Sequence, residues 1–473
     1  MTIVSGGSRV GAAPDLVITG GTVVTDSWSG LASVVVVGEK VESVLDPSVD
    51  VESLGAARVV DASGQYVLPG GVDPHCHLAI PLGAFLTLDT FESASLAALA
   101  GGTTTVVDFA IPVVGQDPVA ALDEKLAMAV ESRCDYAFHG VLNSHPANVD
   151  DVVSAFVERG VRTIKLFTTY RGELMVSIET IESVMRALST VSGLTYIHAE
   201  ENNAIEAAQA AAAEEGRIDA RGMAASRPAE AEEQAVVEVL AAARRAGAPV
   251  YFVHQSIPSA VDLVAEARSE GMHAYSESCP HYLALDDSCY DGDYPERFVC
   301  CPPIRDASTV SVLGQRLADG MVHTVGSDHC CYSSGQKEQA SHDVRIMPNG
   351  LPGVETRMSV TWNQFVKPGL MTPEDFVRVM SSNPARLNGL YPRKGSIESG
   401  ADADLVIFDP NETRTVTIDD LHMHTDYTPY EGRSVTGWPT TVVMRGQVVV
   451  HGGVVTDPGP IGRLQRSEAI SFW

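Results

Sequence analysis

The fold is decided by the stretch Val67-Leu68-Pro69-Gly70-Gly71-Val72-Asp73-Pro74-His75-Cys76-His77. It is a short apolar run that ends in two histidines separated by a single residue. Alternate residues of an extended strand share a face, so the imidazoles of His75 and His77 should point the same way and Cys76 the opposite way. Two imidazoles on one face favour metal binding, although the same pattern also arises by chance. The downstream sequence must decide between these readings.

The composition indicates a large protein with few anionic partners. With 473 residues, of which 45% are apolar, the chain can form one large domain and a smaller one. The 32 basic and 61 acidic residues give a net charge of −29, which repels phosphate backbones and anionic lipid surfaces. We therefore expect neither nucleic acid nor a membrane as a partner.

The cysteine pattern and the N-terminus favour a cytoplasmic protein. The eight cysteines lack regular spacing and include the adjacent pairs Cys300-Cys301 and Cys330-Cys331, which is typical of reduced thiols. Residues 1–14 lack the basic and apolar regions of a signal peptide, and the sequence contains no uninterrupted apolar run of about 18 residues. We expect a soluble cytoplasmic protein.

The chain divides into two textures, which predict an α/β protein with two domains. Short β-branched runs at both ends predict a small β-sandwich domain formed by residues 14–69 and 397–455. Residues 1–13 and 456–473 are predicted tails. Between the two ends, residues 70–396 alternate strand patterns with alanine-rich helical patterns, which predicts a (β/α)₈ TIM barrel. The predicted barrel strands end near His77, Asp108, Asn143, Thr168, Glu200, Ser256, Ser278 and Asp328.

Polar residues gather at the carboxyl ends of these strands, where barrel enzymes build their active sites. Taken singly, each residue could be an ordinary buried or solvated side chain. Six such residues at corresponding positions of five strands instead predict a common site with metal ligands. The six are His75, His77, Lys165, His198, His254 and Asp328.

Lys165 stands out among the six because an ammonium group would repel metal cations. Burial lowers the pKa of a lysine and leaves a nucleophilic amine, which can capture carbon dioxide. The resulting carbamate is an anion with two oxygens and can bridge two metal ions. The alternative, a lysine whose amine extends to solvent at the barrel mouth, stays open at this point.

Together these residues resemble the binuclear-metal amidohydrolase superfamily and, more narrowly, the dihydropyrimidinase and hydantoinase family. The resemblance runs from about Asp15 to about Gly453. It rests on several stretches in order: Asp73-Pro74-His75-Cys76-His77, Lys165-Leu166-Phe167-Thr168-Thr169-Tyr170, His198-Ala199-Glu200-Glu201-Asn202, Cys279-Pro280-His281-Tyr282-Leu283, Gly326-Ser327-Asp328-His329 and Asn349-Gly350-Leu351-Pro352-Gly353-Val354-Glu355.

The resemblance implies a hydrolase that opens 5,6-dihydropyrimidines or 5-substituted hydantoins to N-carbamoyl amino acids through a metal-bridging hydroxide. It implies two Zn²⁺ ions per subunit, one held by His75, His77, carbamylated Lys165 (N6-carboxylysine) and Asp328. The same carbamate, His198 and His254 would hold the other. Asp328 would also carry the proton to the leaving nitrogen, and the subunits would form a homotetramer.

Three further residues follow from the resemblance. Tyr170 would donate to the developing oxyanion, and Ser278 and Asn349 would hold the amide and imide edge of the substrate ring. Allantoinases generally lack this tyrosine, so allantoinase is the second choice among enzymes. A non-catalytic relative of the collapsin response mediator type is the alternative from another class, and the intact ligand positions weigh against it. The loop from Leu78 to Asp89 and the pair Cys330-Cys331 depart from the usual family sequence near the substrate.

Overall fold

A computed structural model describes residues 13–82 and 84–473 and contains the predicted barrel. The predicted N-terminal tail lies outside the described residues except for Ala13. Eight strands pair in sequence order into one parallel sheet, as the alternation of strand and helix patterns predicted. The α/β barrel fold is therefore confirmed. Its strands are Gly71–Cys76, Thr103–Ala110, Asp135–Val141, Thr163–Phe167, Leu194–His198, Val250–Phe252, Ala274–Ser278 and Thr324–Val325.

The barrel closes between its first and eighth strands mainly through side chains and single bridges. The eighth strand is short, and within the described part of the chain a single bridge, between Cys76 and His329, crosses the seam. Asp73 Oδ1 accepts the backbone N–H of Ser327 at 3.0 Å, and Ser327 Oγ donates to the carbonyl of His75 at 3.1 Å. These contacts hold the carboxyl ends of the two strands together, and both ends carry candidate site residues.

The helices cover the outside of the barrel, and several of them begin at a side-chain cap. Asp117, for example, accepts the N–H groups of Val119 and Ala120, with Pro118 in the first turn. Among the described residues, the helices are Phe91–Ala100, Pro118–Met128, Val149–Glu158, Ile178–Thr190, Asn202–Glu214, Met223–Ser226, Ala229–Ala246, Pro258–Ser269, Pro280–Ala284, Ala307–Ala318, Ser334–Gln339, Arg357–Thr361, Pro373–Val377 and Asn383–Leu387. None of these described helices combines the length and apolar character needed to cross a bilayer.

Both ends of the chain build the predicted second domain, which consists of two packed sheets. The four-stranded sheet orders Lys40–Leu45, Ser33–Val37, Leu16–Thr19 and Arg58–Asp61. The seven-stranded sheet orders Val454–Val455, Gln447–His451, Ser434–Met444, Leu405–Thr415, Tyr66–Pro69, Thr22–Val24 and Ser29–Leu31. One apolar cluster draws residues from both sheets, including Ile18, Val36, Leu405 and Val443, so the two layers form a sandwich.

The opening stretch joins the two domains without a linker. Strand Tyr66–Pro69 of the sandwich runs through Gly70 into barrel strand Gly71–Cys76. A Cβ atom at Gly70 would collide with the side chain of Thr104, so a glycine is required at this close approach. The sequence-based limits of the domains, 14–69 with 397–455 and 70–396, and the tail 456–473 stay predictions.

Candidate metal centre and active site

A cavity of about 350 Å³ opens at the carboxyl end of the barrel strands. Its wall includes five of the six predicted ligand residues and also Tyr170 and Asn349. The sixth, His75, lies directly behind the wall with its ring centroid 5.2 Å from that of His77 and 5.3 Å from that of His254. The structure therefore brings together all six residues that the strand ends predicted.

His75, His77 and Asp328 form the first compact group. The Nε2 atoms of His75 and His77 lie 3.2 Å apart, and they lie 3.1 Å and 3.3 Å from Asp328 Oδ1. Two imidazole nitrogens and a carboxylate oxygen that converge on one point are a suitable ligand set for a divalent cation such as Zn²⁺.

Lys165, His198 and His254 form the second group. The rings of His198 and His254 lie with their centroids 4.6 Å apart. The Nζ atom of Lys165 lies 5.0 Å from the ring centroids of both Phe109 and Phe167, and it makes no hydrogen bond within the described part of the chain. Burial lowers the pKa of Lys165 to about 7, since the carboxylates that raise it do so only in part. A buried, unpartnered amine of this kind is suited to reaction with carbon dioxide.

Glu277, on the seventh strand, fixes the orientation of His75 and was not predicted as a site residue. Its Oε1 atom lies 2.6 Å from His75 Nδ1 and accepts the backbone N–H of His254 at 2.9 Å. Its Oε2 atom accepts the hydroxyl of Tyr251 at 2.6 Å. Since the Glu277 carboxylate accepts a hydrogen bond from Nδ1–H, His75 directs its Nε2 atom to the site. The available signal was an acidic residue inside an otherwise buried strand.

His198 is held in the opposite tautomer by a second buried carboxylate. Glu200 Oε2 lies 2.6 Å from His198 Nε2, so His198 presents Nδ1 to the cavity. Arg227 donates to both oxygens of Glu200, at 3.0 Å and 2.5 Å. Although burial raises the pKa of Glu200, Arg227 and His198 hold it well below its usual range. Sequence reasoning missed Arg227 because it lies in a distant segment between two helices.

Three of the candidate site residues have strained backbone conformations. Tyr170, His254 and Asp328 have φ angles of +69°, +39° and +48°, a region that residues other than glycine rarely adopt. Such outliers persist only where surrounding contacts enforce them, and they concentrate at functional sites. The strain thus points independently to the same residues as the strand-end pattern.

The two predicted ring-binding residues differ in their placement. Asn349 lines the cavity, and its Oδ1 atom is buried without a hydrogen-bond partner among the described residues, which leaves it available to a ligand. Ser278 is fully buried behind the cavity wall, and its hydroxyl donates to the carbonyl of Gln255 at 3.0 Å. The structure does not bring the Ser278 hydroxyl to the cavity, so any contact with substrate would use its backbone.

The adjacent cysteines near Asp328 point in different directions. Cys330 lines the cavity, whereas Cys331 Sγ lies 3.1 Å from Asp89 Oδ2. Asp89, Cys331 and His329 are close enough to suggest another metal site. However, the N–H of Gly353 donates to His329 Nδ1 at 3.1 Å, so Nε2 carries the proton and donates it to Asp89 at 2.9 Å. This cluster is therefore a hydrogen-bonded network that packs the loop after the first strand.

Comparison with known proteins finds relatives over most of the chain. The sequence model of the protein family described as "Amidohydrolase family" matches residues 66–449. A D-hydantoinase of Geobacillus stearothermophilus is 38% identical over 84% of this chain and 85% of its own length. A dihydropyrimidinase of Arabidopsis thaliana is 35% identical over 92% of this chain and 82% of its own length. The crystal structure of dihydropyrimidinase from Brevibacillus agri superposes with a TM-score of 0.93 at 35% identity, covering 96% of this chain and 99% of that one.

Proposed function

Because the chain belongs to the amidohydrolase family, within its hydantoinase and dihydropyrimidinase group, we propose that the two residue groups at the barrel mouth form one binuclear active site for opening cyclic amides. The chain is a metal-dependent cyclic amidase. The observation that carries the residue assignment is the bare amine of Lys165 between two groups of imidazoles. We propose that it binds metal as a carbamate together with His75, His77, His198, His254 and Asp328.

The residues present fit a pair of divalent cations, which we propose to be Zn²⁺. His75 and His198 have their outer nitrogens hydrogen-bonded to Glu277 and Glu200, so each directs its other ring nitrogen towards the cavity. Deprotonated carboxylates and neutral imidazoles are the forms that metal binding requires. When bound, two such cations acidify a water molecule and polarise the scissile carbonyl group.

Two residues perform the remaining steps in this proposal. Asp328, whose Oδ1 atom lies 3.1 Å from His75 Nε2 and 3.3 Å from His77 Nε2, is the base that can accept a proton from the attacking water. It then delivers this proton to the leaving ring nitrogen. The phenol of Tyr170 is kept protonated by burial and can donate a hydrogen bond to the carbonyl oxygen as negative charge develops.

The cavity wall suggests which part of the substrate determines selectivity. Beyond the ligands, the wall is largely apolar and includes Phe85, Ile111, Leu174 and Met347. An apolar mouth accommodates an aryl or alkyl group at ring carbon 5, whereas the polar ureido substituent of allantoin would lose its hydrogen bonds to water there. We therefore place 5-substituted hydantoins and dihydropyrimidines ahead of allantoin. The homotetramer and the cytoplasmic location remain proposals that rest on resemblance and cysteine usage.

Hydrolysis of dihydrouracil, phenylhydantoin and allantoin, compared side by side with zinc-loaded protein in bicarbonate, tests this proposal. We expect turnover of one or both of the first two, with the N-carbamoyl amino acid as product. Asp328→Asn should retain the fold and lose activity by a factor of roughly 10³ or more, since it removes the proton carrier. Turnover of allantoin alone would favour the allantoinase alternative. Two bound metals with no turnover of any ring would show that the substrate class is wrong.

A further inference from the structure

A closed circuit of four contacts links the candidate oxyanion donor to one candidate metal ligand. Glu200 binds the outer nitrogen of His198, Arg227 binds Glu200, and the Arg227 guanidinium carbon lies 5.2 Å from the ring centroid of Tyr170. The Tyr170 ring then meets the His198 ring edge to face, with centroids 5.4 Å apart. Each of the four side chains contacts two others of the circuit, so a shift of one side chain disturbs both of its contacts.

We propose that Glu200 and Arg227 are positioning residues, which hold the phenol of Tyr170 and the imidazole of His198 in a fixed mutual arrangement. This inference deepens the proposed function and rests on it for the roles of Tyr170 and His198. It explains how Tyr170, from the loop after strand four, keeps a fixed position relative to His198, which ends strand five.

The backbone of Tyr170 explains why external support is needed. Its φ angle of +69° is unfavourable for a residue with a side chain. Its carbonyl accepts three N–H groups, from Glu173, Leu174 and Met175, at 3.0 to 3.1 Å. These bonds close a tight turn but leave the ring direction free. The guanidinium of Arg227, stacked on the ring face, supplies a contact that fixes this direction.

Arg227 is itself held from both ends, as a positioning residue requires. Its side chain is buried and paired with Glu200 through a planar, two-pronged contact. Its carbonyl accepts a hydrogen bond of 2.7 Å from Arg305 Nη1. The backbone N–H of Glu200 donates to Thr168 Oγ1 at 2.9 Å, which connects Glu200 to the end of strand four. Backbone contacts to neighbouring segments therefore hold both Glu200 and Arg227 in place.

A double-mutant cycle tests whether Arg227 acts through Tyr170. Alone, Arg227→Met should lower kcat roughly 10- to 100-fold with a smaller change in KM, as loss of an outer-shell partner does. In a Tyr170→Phe background, with zinc saturating so that the metal positions stay filled, the same change should lower kcat less than about threefold, because the hydroxyl that it positions is already missing. Arg227→Lys keeps the positive charge but loses the planar guanidinium group, so its kcat should lie between those of the wild type and Arg227→Met. Equal losses in both backgrounds would overturn the inference.

Metal retention tests the His198 side of the circuit without any turnover assay. Glu200→Gln and Arg227→Met should release one of two zinc ions to a chelator at roughly 10- to 100-fold lower chelator concentration than wild type. Glu277→Gln changes the partner of His75 and should instead weaken binding of the other zinc ion. Absorption spectra of cobalt-substituted protein can distinguish the two metal positions. Wild-type retention of both ions in Glu200→Gln and Arg227→Met would also overturn the inference.

Arg133→Met provides the matched control for a lost buried arginine. Arg133 pairs with Asp457 at 3.0 Å and Glu92 at 2.7 Å and does not line the cavity. It should lower the unfolding temperature without changing kcat, KM or metal retention. If wild-type protein binds two zinc ions but opens no cyclic amide, the proposed function fails, and the chelator experiment still decides the role of Glu200 and Arg227.

Discussion

Lys165 and Lys394 are both buried, yet their surroundings shift the pKa of the ammonium group in opposite directions. Lys394 contacts three carboxylates: Asp404 at 2.8 Å, Asp402 at 2.9 Å, and Asp135. Burial alone would lower the pKa of Lys394, but these carboxylates raise it above its usual value. Lys165 has no such hydrogen-bonded carboxylate among the described residues, and its pKa falls to about 7.

The difference shows what a lysine needs in order to be reactive rather than structural. The Lys394 cluster joins barrel strand three, through Asp135, to Asp404, which directly precedes the long sandwich strand Leu405–Thr415, so its charge helps to hold the two domains together. Lys165 lies between two aromatic rings and faces a cavity, so a neutral amine with a free lone pair costs least there. The position of carboxylates, and not burial itself, separates the two roles.

The largest expected effect is that of Lys165→Ala. The variant should lose both bound metals and lower kcat/KM by a factor on the order of 10³ or more, because the proposed carbamate is the one ligand shared by both ions. Zinc per subunit and the initial rate of ring opening are the measurements. Short carboxylic acids such as acetate or propionate should restore part of both by occupying the vacated space.

An unchanged zinc content in Lys165→Ala would contradict the bridging role. Lys394→Met is the matched control, since it also removes a buried ammonium and should leave the zinc content of the folded protein at the wild-type level. Loss of zinc from both variants would show that general destabilisation, and not a missing ligand, explains the result.

Lys394→Met should have its effect on stability. Removing the cation leaves three carboxylates close together and buried, which costs about 3–5 kcal/mol in the free energy of unfolding. Urea denaturation at neutral pH measures this loss. Adding Asp404→Asn removes one of the repelling charges and should recover part of it. If the double variant were less stable than Lys394→Met, the cluster would not be held together by charge.

The sequence could predict the strand-end residues but not their supporting partners. Each ligand follows a recognisable strand, and parallel strands bring their ends to one edge, so His75, His198 and Asp328 could be placed together without coordinates. Glu277 lies on a strand as well, yet nothing in the local pattern reveals that it faces His75. Arg227 joins the site from 27 residues beyond Glu200, and its partner depends on the course of the intervening chain.

The fold shows the same division between local and long-range information. Alternating strand and helix patterns specify the barrel, and β-branched runs specify the sandwich from both chain ends. The contacts that close the barrel could not be predicted, because the eighth strand is only Thr324–Val325 and the seam depends on contacts such as Asp73 to Ser327. The Lys394 cluster was also missed, since its carboxylates come from three separate segments.

A third buried lysine gives the smallest expected effect and the sharpest test of the comparison. Burial lowers the pKa of Lys337 to about 8, close to that of Lys165, but its Nζ atom donates to the carbonyl of Val299 at 2.6 Å. A low pKa alone would therefore predict a carbamate at both lysines. A requirement for a free amine that faces the metal site predicts a carbamate at Lys165 only.

Protein prepared with ¹³C-bicarbonate should accordingly show one carbamate resonance per subunit, which Lys165→Ala abolishes and Lys337→Met retains. Lys337→Met should cost only about 0.5–1.5 kcal/mol in unfolding free energy, because the Val299 carbonyl loses one donor and keeps the N–H of Gly350. A resonance that disappears in Lys337→Met and persists in Lys165→Ala would reverse the assignment. The depressed pKa, and not the space in front of the amine, would then decide which lysine captures carbon dioxide, since the hydrogen-bonded lysine would be the one that reacts.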